Sequence, residues 1–444
     1  MNQDFMKERS VFPLVLTMSC PMVLSMLVNA LYNIVDSYFV AKVSENAMTA
    51  LSLVFPLQNL VNAIGVGFGI GINAIVAFFL GAGNIRKANN TASQGIILNA
   101  IHGIILTVSC IAIMPVFLKL FTQDAQIIDY GITYSNIIFL FSTVITVGVS
   151  FEKIFQAVGK MKVSMFCMLC GCIINIILDP ILIFGIGFIP AMGVSGAAIA
   201  TGIGQLATLL AYIVIFLIRP LPISFKIHRD LMKDDAYKRV YTVGIPASLN
   251  IALPSFLITM LNGILAEFSQ IYVLILGIYY KLQTFIYLTA NGVVQGIRPL
   301  VGFNYGAGRT DRVKSIFKTS LLLGTIIMAI GTILCMAFSD YLIGMFSTNP
   351  QTIKEGAKAL RIISCGFVIS AISVMISGTY EGLGKGTSSL AISLIRYVVI
   401  IPIAFLLSLF FKAVGVWNAF WVTELIAAIV SLIMFKHYNH KLAL

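Results

Sequence analysis

Apolar residues recur along the chain in runs longer than the ~18 needed to cross hydrocarbon, separated by short polar connections. The pattern predicts twelve helices, at roughly 11–41, 48–80, 90–118, 127–158, 162–184, 192–218, 241–268, 271–304, 314–338, 352–384, 388–411 and 415–436. A water-soluble core could not absorb so many, so the expected fold class is all-α integral membrane. The 444 residues are 59% hydrophobic and only 10% charged, which leaves no stretch for a separate soluble domain. The opening MNQDFMKERS is acidic and mixed, unlike the basic start of a signal peptide, and no A-x-A-like cleavage site follows it. The first span is therefore expected to stay as an uncleaved anchor.

The pattern also repeats. An offset of 225 residues brings Pro21 onto Pro246, Leu57 and Gln58 onto Leu282 and Gln283, and Gly67 and Gly71 onto Gly292 and Gly296. The same offset carries Gly81, Ala82 and Gly83 onto Gly306, Ala307 and Gly308, and Gly159 and Lys160 onto Gly384 and Lys385. A small shift, to 222, then pairs Pro180 with Pro402, Gly193 with Gly415 and Thr201 with Thr423. Isolated glycines would not keep one offset by coincidence over so long a stretch. Six spans per half is an even number, so both halves enter the membrane in the same direction and are related by a pseudo-two-fold axis along its normal. The expected organisation is an N-terminal lobe over 1–218, a basic linker over 219–240 and a C-terminal lobe over 241–444. Two parallel lobes enclosing a cleft offer a physical route to alternating access.

Charge sets the orientation. With the N-terminus inside, Lys7, Arg9, Arg86, Lys87, Lys153, Lys160, Lys162, the linker cations and Arg309, Arg312, Lys314, Lys318, Lys385, Lys436 and Lys441 gather on one side, and few basic residues remain on the other. Both termini are expected in the cytoplasm. The net charge of +12 is then accounted for by topology and by contact with anionic lipid heads, so a nucleic-acid partner is not needed. Cys20, Cys110, Cys167, Cys170, Cys172, Cys335 and Cys365 all fall within predicted spans, where they read as packing residues rather than a disulfide framework or metal site. GVGFGIG, from Gly65 to Gly71, follows no strand; it reads as close helix packing through small residues four apart, not as a nucleotide loop.

Two acids break the repeat. Asp36 and Asp179 lie inside apolar spans, and their second-half counterparts are Leu261 and Ile401. Asn175 likewise corresponds to Tyr397, while Thr201 keeps its hydroxyl as Thr423. The architecture therefore does not require the acids, and an ionised carboxylate at such depth costs about 2.5–3.5 kcal/mol or more. At ~1.5 Å per residue, Asp36, Asp179 and Thr201 lie at levels agreeing within about 6 Å, and Asn175 shares a helix face with Asp179. Pro180 removes a backbone donor at that turn. Two carboxylates, an amide and a hydroxyl suit a hard cation or a shared proton. Na⁺ and H⁺ both remain open, as does a plain helix-packing network.

NIVDSYFV in the first span, the NxxxDP of the fifth, the LGAG and FNYGAG ends of the second and eighth, and the two six-helix lobes together resemble the multidrug and toxic compound extrusion transporters of prokaryotes. The resemblance covers essentially the whole chain. It implies a cation-coupled antiporter that exports amphipathic, often cationic organic compounds across a bacterial or archaeal cell membrane, and that is not an enzyme. It places the first-lobe cation site on Asp36, Asn175, Asp179 and Thr201. Where one branch of the family has a glutamate in the seventh span, this chain has Pro254 or its neighbours, which argues against a second-lobe sodium site of that kind. No cofactor is expected beyond the coupling Na⁺ or H⁺. The partners implied are small organic substrates and membrane lipid, with the chain acting as a monomer.

Other polar residues within spans are candidates for the substrate cleft: Tyr32, Asn33, Gln58, Asn59, Asn62, Asn250 and Gln283, with helix–helix hydrogen bonding as their equal alternative. Lys281 and Glu424 lie at similar depth and are candidates for an internal charge pair. Arg298 reads as close enough to a span end to snorkel, and Glu152, Glu267 and Glu381 read as solvated. His102 reads as a lone packed side chain. A flippase for a lipid-linked saccharide is the alternative function; it would favour more spans and several basic residues lining the cleft. A membrane transferase would want an aspartate-rich metal motif or a catalytic histidine.

Overall fold

The computed structural model describes residues 3–187, 189–225 and 235–441. Among these the regular elements are helices: α1 (Phe5–Glu8), α2 (Val11–Ala41), α3 (Glu45–Gly81), α4 (Ile85–Phe121), α5 (Ala125–Leu140), α6 (Ser142–Ala157), α7 (Met161–Phe184) and α8 (Gly193–Ile218), then α9 (Ala236–Ala266), α10 (Gln270–Gly306), α11 (Thr310–Ala337), α12 (Ser339–Gly344), α13 (Pro350–Gly382), α14 (Gly386–Leu394), a π-helical turn (Ile395–Val399) and α15 (Ile400–Lys441). Residues 226–234 of the expected linker lie outside the described residues.

Local chemistry sets where these helices begin and end. The Ser44, Asn84 and Asp124 side chains accept from the backbone N–H of Ala47, Lys87 and Gln126 at 3.0, 3.0 and 2.8 Å, satisfying donors left over in the first turn. Gly83, Gly159, Gly308 and Gly384 terminate helices at φ of 72°, 81°, 69° and 74°, a region that disfavours a Cβ. These glycines are partners under the 225-residue offset, so the repeat preserves turn chemistry.

Among the described residues ten helices are long and apolar enough to span a membrane, and the bent pair α5 and α6, taken as one span, makes an eleventh. The sequence predicts one unbroken helix over roughly 127–158; instead the chain bends by 44° at Phe141, whose φ/ψ is −85°/0°. The Phe141 ring lies against Gly202 of α8, where an added Cβ would come within 2.2 Å of it. The last long helix is two spans. Lys412 has φ 54° and ψ −140°, and a Cβ on Gly415 would fall 2.2 Å from the carbonyl oxygen of Leu407. Residues eight apart in a continuous helix would be about 12 Å apart along its axis, so the chain doubles back here and the spans number twelve.

The chain divides into two compact units, one built around Leu24–Ser248 and the other from Asp4–Val23 with Leu249–Leu444. This boundary differs from the one expected from the repeat, because the first span of each half is split. In the second unit, Gly292 and Gly296 of α10 take the α2 backbone at Val23 and Ser19, where Cβ atoms would approach Cα to 2.6 Å in both cases. In the first unit, Gly67 and Gly71 of α3 take α9 at Ser248 and Val240 in the same way, each with a backbone atom at 2.5 Å from an added Cβ. The repeated glycines are thus the seats on which the two first-span segments rest, at a separation that larger residues would prevent.

Candidate cation and substrate site

The first-lobe residues meet where α7 crosses α8. Gly171 and Gly204 permit the crossing: a Cβ on Gly171 would lie 2.6 Å from the Gly204 carbonyl oxygen, and one on Gly204 would lie 3.0 Å from the Asn175 Cβ. Asn175 and Asp179, one helical turn apart, therefore face Thr201 of α8. Asp179 is 0% exposed, Asn175 2% and Thr201 5%. The Asn175 amide nitrogen lies 3.3 Å from Asp179 Oδ1 and 3.4 Å from Thr201 Oγ1. With the amide turned over, its nitrogen donates to Asp179 Oδ2 at 3.1 Å and its oxygen accepts from the Thr201 backbone N–H at 3.1 Å. That orientation satisfies both ends of the amide and leaves the Thr201 hydroxyl free to turn toward a ligand.

Asp36, on α2, supplies the second carboxylate. Its Oδ1 is buried with no hydrogen-bond partner, and its charge is felt by Asp179. An acceptor buried without a donor forgoes about 1–3 kcal/mol. Two carboxylates within electrostatic range, one with an unmatched oxygen, form an oxygen-rich setting that a cation or proton would complete. Tyr32 lies in the same group, in electrostatic contact with Asp36, Tyr134 and Asp179.

Tyr134 of α5 is the residue the sequence reading missed. It is buried, hydrogen-bonded with Gln58 and within electrostatic range of both Asp36 and Asp179. The offset gives Ala359 as its counterpart, so the asymmetry that exposed the acids also marks this tyrosine.

Other candidates fall elsewhere. Asn33 turns back on its own helix, donating to the Asn29 carbonyl at 2.7 Å. Asn62 is exposed and Asn59 half-buried on α3. Asn250 and Gln283 belong to the second unit, where the Asn250 amide reaches Ser389 Oγ at 3.0 Å and Glu381 at 3.4 Å. His102 is packed, with Nε2 2.9 Å from the Tyr241 hydroxyl. A cavity of about 490 Å³ is lined by Leu98, Tyr237, Lys238 and Tyr241 and by neither carboxylate.

Three charge assignments need correction. Glu424 pairs with Arg396, not Lys281: the guanidinium reaches Oε1 at 2.8 and 3.0 Å and Oε2 at 3.1 Å. Lys281 is exposed, with its ammonium 5.8 Å from the centre of the Phe346 ring. Equal depth fixed the level of Lys281 and Glu424 but left undetermined which face of each helix they occupy. Arg298 does not snorkel and Glu381 is not solvated; they form an ion pair at 2.7 Å. Glu152 pairs with Lys153 at 2.7 Å, and Lys153 is buried in α6 rather than exposed at a membrane surface.

A family model described as MatE matches the chain twice, over residues 21–181 and 246–406. The chain belongs to the MatE family. Its two matches are 225 residues apart, the same offset that lays the sequence on itself. MatE relatives include the multidrug export protein MepA of Staphylococcus haemolyticus, 26% identical over 439 residues, covering 99% of this chain and 96% of that protein. The protein of the same name from Staphylococcus aureus strain MRSA252 is 24% identical over 431 residues, with coverages of 97% and 94%. Among solved structures, an outward-facing multidrug resistance MATE family transporter superposes with a TM-score of 0.91 at 22% identity, covering 100% of this chain and 99% of that one. A MOP superfamily transporter from Pyrococcus furiosus gives the same score, identity and coverages. The fold is that of the MATE transporters: all-helical, twelve-span and two-lobed, in a multi-pass membrane protein.

Proposed function

We propose that this MatE protein is a secondary active exporter that moves amphipathic, often cationic organic compounds out of the cell in exchange for Na⁺ or H⁺, by rocking alternating access. The observation that carries the reading is the buried cluster of Asp179, Asn175 and Thr201, together with an Asp36 oxygen that has no donor. A monovalent cation entering there would be shared between two carboxylates, cancel half of their combined charge and draw α2 toward α7. Tyr32 and the Tyr134–Gln58 pair interact with both carboxylates and would feel that change of charge. The names of the Staphylococcus relatives, multidrug export proteins, support the substrate class. The basic residues of the connections support cytoplasmic termini.

In this reading the chain catalyses no covalent reaction. The flippase alternative needs unpaired internal cations to hold phosphate, whereas Arg298 and Arg396 are each neutralised by a glutamate. The test is Asp36→Asn, assayed for substrate efflux from energised vesicles. Gradient-driven export is expected to fall at least tenfold, equivalent to about 1.4 kcal/mol of lost coupling; efflux at the wild-type rate would overturn the assignment.

A further inference from the structure

The second unit holds a polar cluster one residue along from the positions the repeat assigns to Asn175 and Thr201. Thr423 answers to Thr201 and Tyr397 to Asn175, and Glu424 and Arg396 are their immediate neighbours. The Arg396 guanidinium grips Glu424 through Nε and Nη2, while Ser373 donates to Glu424 Oε2 at 3.3 Å. Two rings flank the guanidinium, Tyr287 with its centre at 5.7 Å and Tyr397 at 5.4 Å, within range of a cation–π contact. Tyr287 in turn donates to Ser370 at 2.8 Å. Two more hydroxyls in this region, Tyr280 Oη and Thr423 Oγ1, are buried without any partner.

Among the described residues the one π-helical turn is Ile395–Val399, which carries Arg396. Such a turn inserts one extra residue into the winding and swings the side chains beyond it around the helix axis. Arg396, inside that turn, lies 2.8 Å from Glu424. A simple packing role would not require an acid, a base and a rewound helix in the middle of a span, where hydrophobic residues of similar size serve as well.

We infer that the second unit contains a cation site whose occupant is built in: Arg396 supplies the positive charge that Glu424 and Ser373 would otherwise take from solution as a small inorganic cation or a proton. A guanidinium on a tether cannot leave, so the second unit stays charged in the same way throughout the transport cycle and contributes no ion to the exchange. The positional comparison rests on reading the first-unit cluster as a cation site; the chemistry at Glu424 does not.

The full-length protein is tested as Arg396→Gln and as the Arg396→Gln/Glu424→Gln double variant, each also in an Asp179→Asn background. Bound sodium is counted by equilibrium dialysis, protonated carboxyl groups are read by infrared spectroscopy, and unfolding temperature is followed with and without millimolar guanidinium chloride. Arg396→Gln is expected to gain one cation, either a bound sodium or a carboxyl band that disappears in the double variant. Guanidinium is expected to raise its unfolding temperature while leaving the wild type unchanged. The gain should persist with Asp179→Asn, which separates this inference from the first-unit assignment: loss of wild-type sodium binding there concerns only the latter. A folded Arg396→Gln protein with no added sodium, no carboxyl band and no response to guanidinium overturns the inference. Should the variant fold only when guanidinium is supplied, the inference stands; failure of guanidinium to recover it overturns the inference.

Discussion

A carboxylate and an amide one turn apart on α7 meet a hydroxyl on α8 because two glycines let the helices touch. Gly204→Ala tests that cause: its Cβ would press on Asn175 and on the Gly171 carbonyl, and overpacking of this kind costs about 1–3 kcal/mol. We expect a lower unfolding temperature and weaker cation binding together, measured by cation-dependent thermal shift; an unaltered response would mean the close approach does not hold the site. Tyr134→Phe should leave Gln58 without its partner and weaken export with little change in fold, read by efflux alongside circular dichroism. The meeting of Asn175 and Asp179 with Thr201 was legible in the sequence because a carboxylate inside an apolar run is costly and its repeat partner, Ile401, lacks it. Tyr134 was not, because a tyrosine in a span reads equally well as packing. Asn33 donates its amide to the Asn29 carbonyl of its own helix, a bond that residue type alone does not reveal.

At the scale of elements, two kinds of polar group separate. Asn73, Lys153, Gln156 and Ser164 of the first unit fall under the 225-residue offset on Arg298, Gly378, Glu381 and Ser389 of the second. Both halves hold a hydrogen-bonded network here, with Asn73 donating to the Lys153 carbonyl at 3.0 Å in one and Arg298 and Ser389 donating to Glu381 at 2.7 and 3.1 Å in the other, where Gly378 takes the place of Lys153. Networks present in both halves fit a role in the architecture, which both halves share. The helix boundaries were legible from capping residues and repeated glycines, whereas the bend at Phe141 was not, since it depends on a ring finding Gly202 across the bundle. Lys412 offers an element-scale prediction. Its positive φ disfavours any Cβ, so Lys412→Gly should preserve or raise stability by up to about 1 kcal/mol, measured by thermal unfolding in detergent. A marked loss would mean the Lys412 side chain itself holds the turn.

For the whole molecule, the repeat predicted twelve spans in two lobes and the family model recovered the same offset. The exchange of first-span segments between units was illegible, because helical periodicity shows which face is small and says nothing about which neighbour fills it. Asymmetry between the units carries the functional claim. Leu261→Asp, at the counterpart of Asp36, should therefore create no second site, since Tyr397 and Ile401 stand where Asn175 and Asp179 would be needed. Sodium stoichiometry should stay unchanged while stability falls by about 2.5–3.5 kcal/mol. The most direct measurement is substrate transport in proteoliposomes with sodium and pH gradients imposed separately, comparing wild type with Asp179→Asn. The account predicts that one of the two gradients drives export by the wild type and that neither drives it in the variant; equal gradient-driven export by both proteins would contradict it.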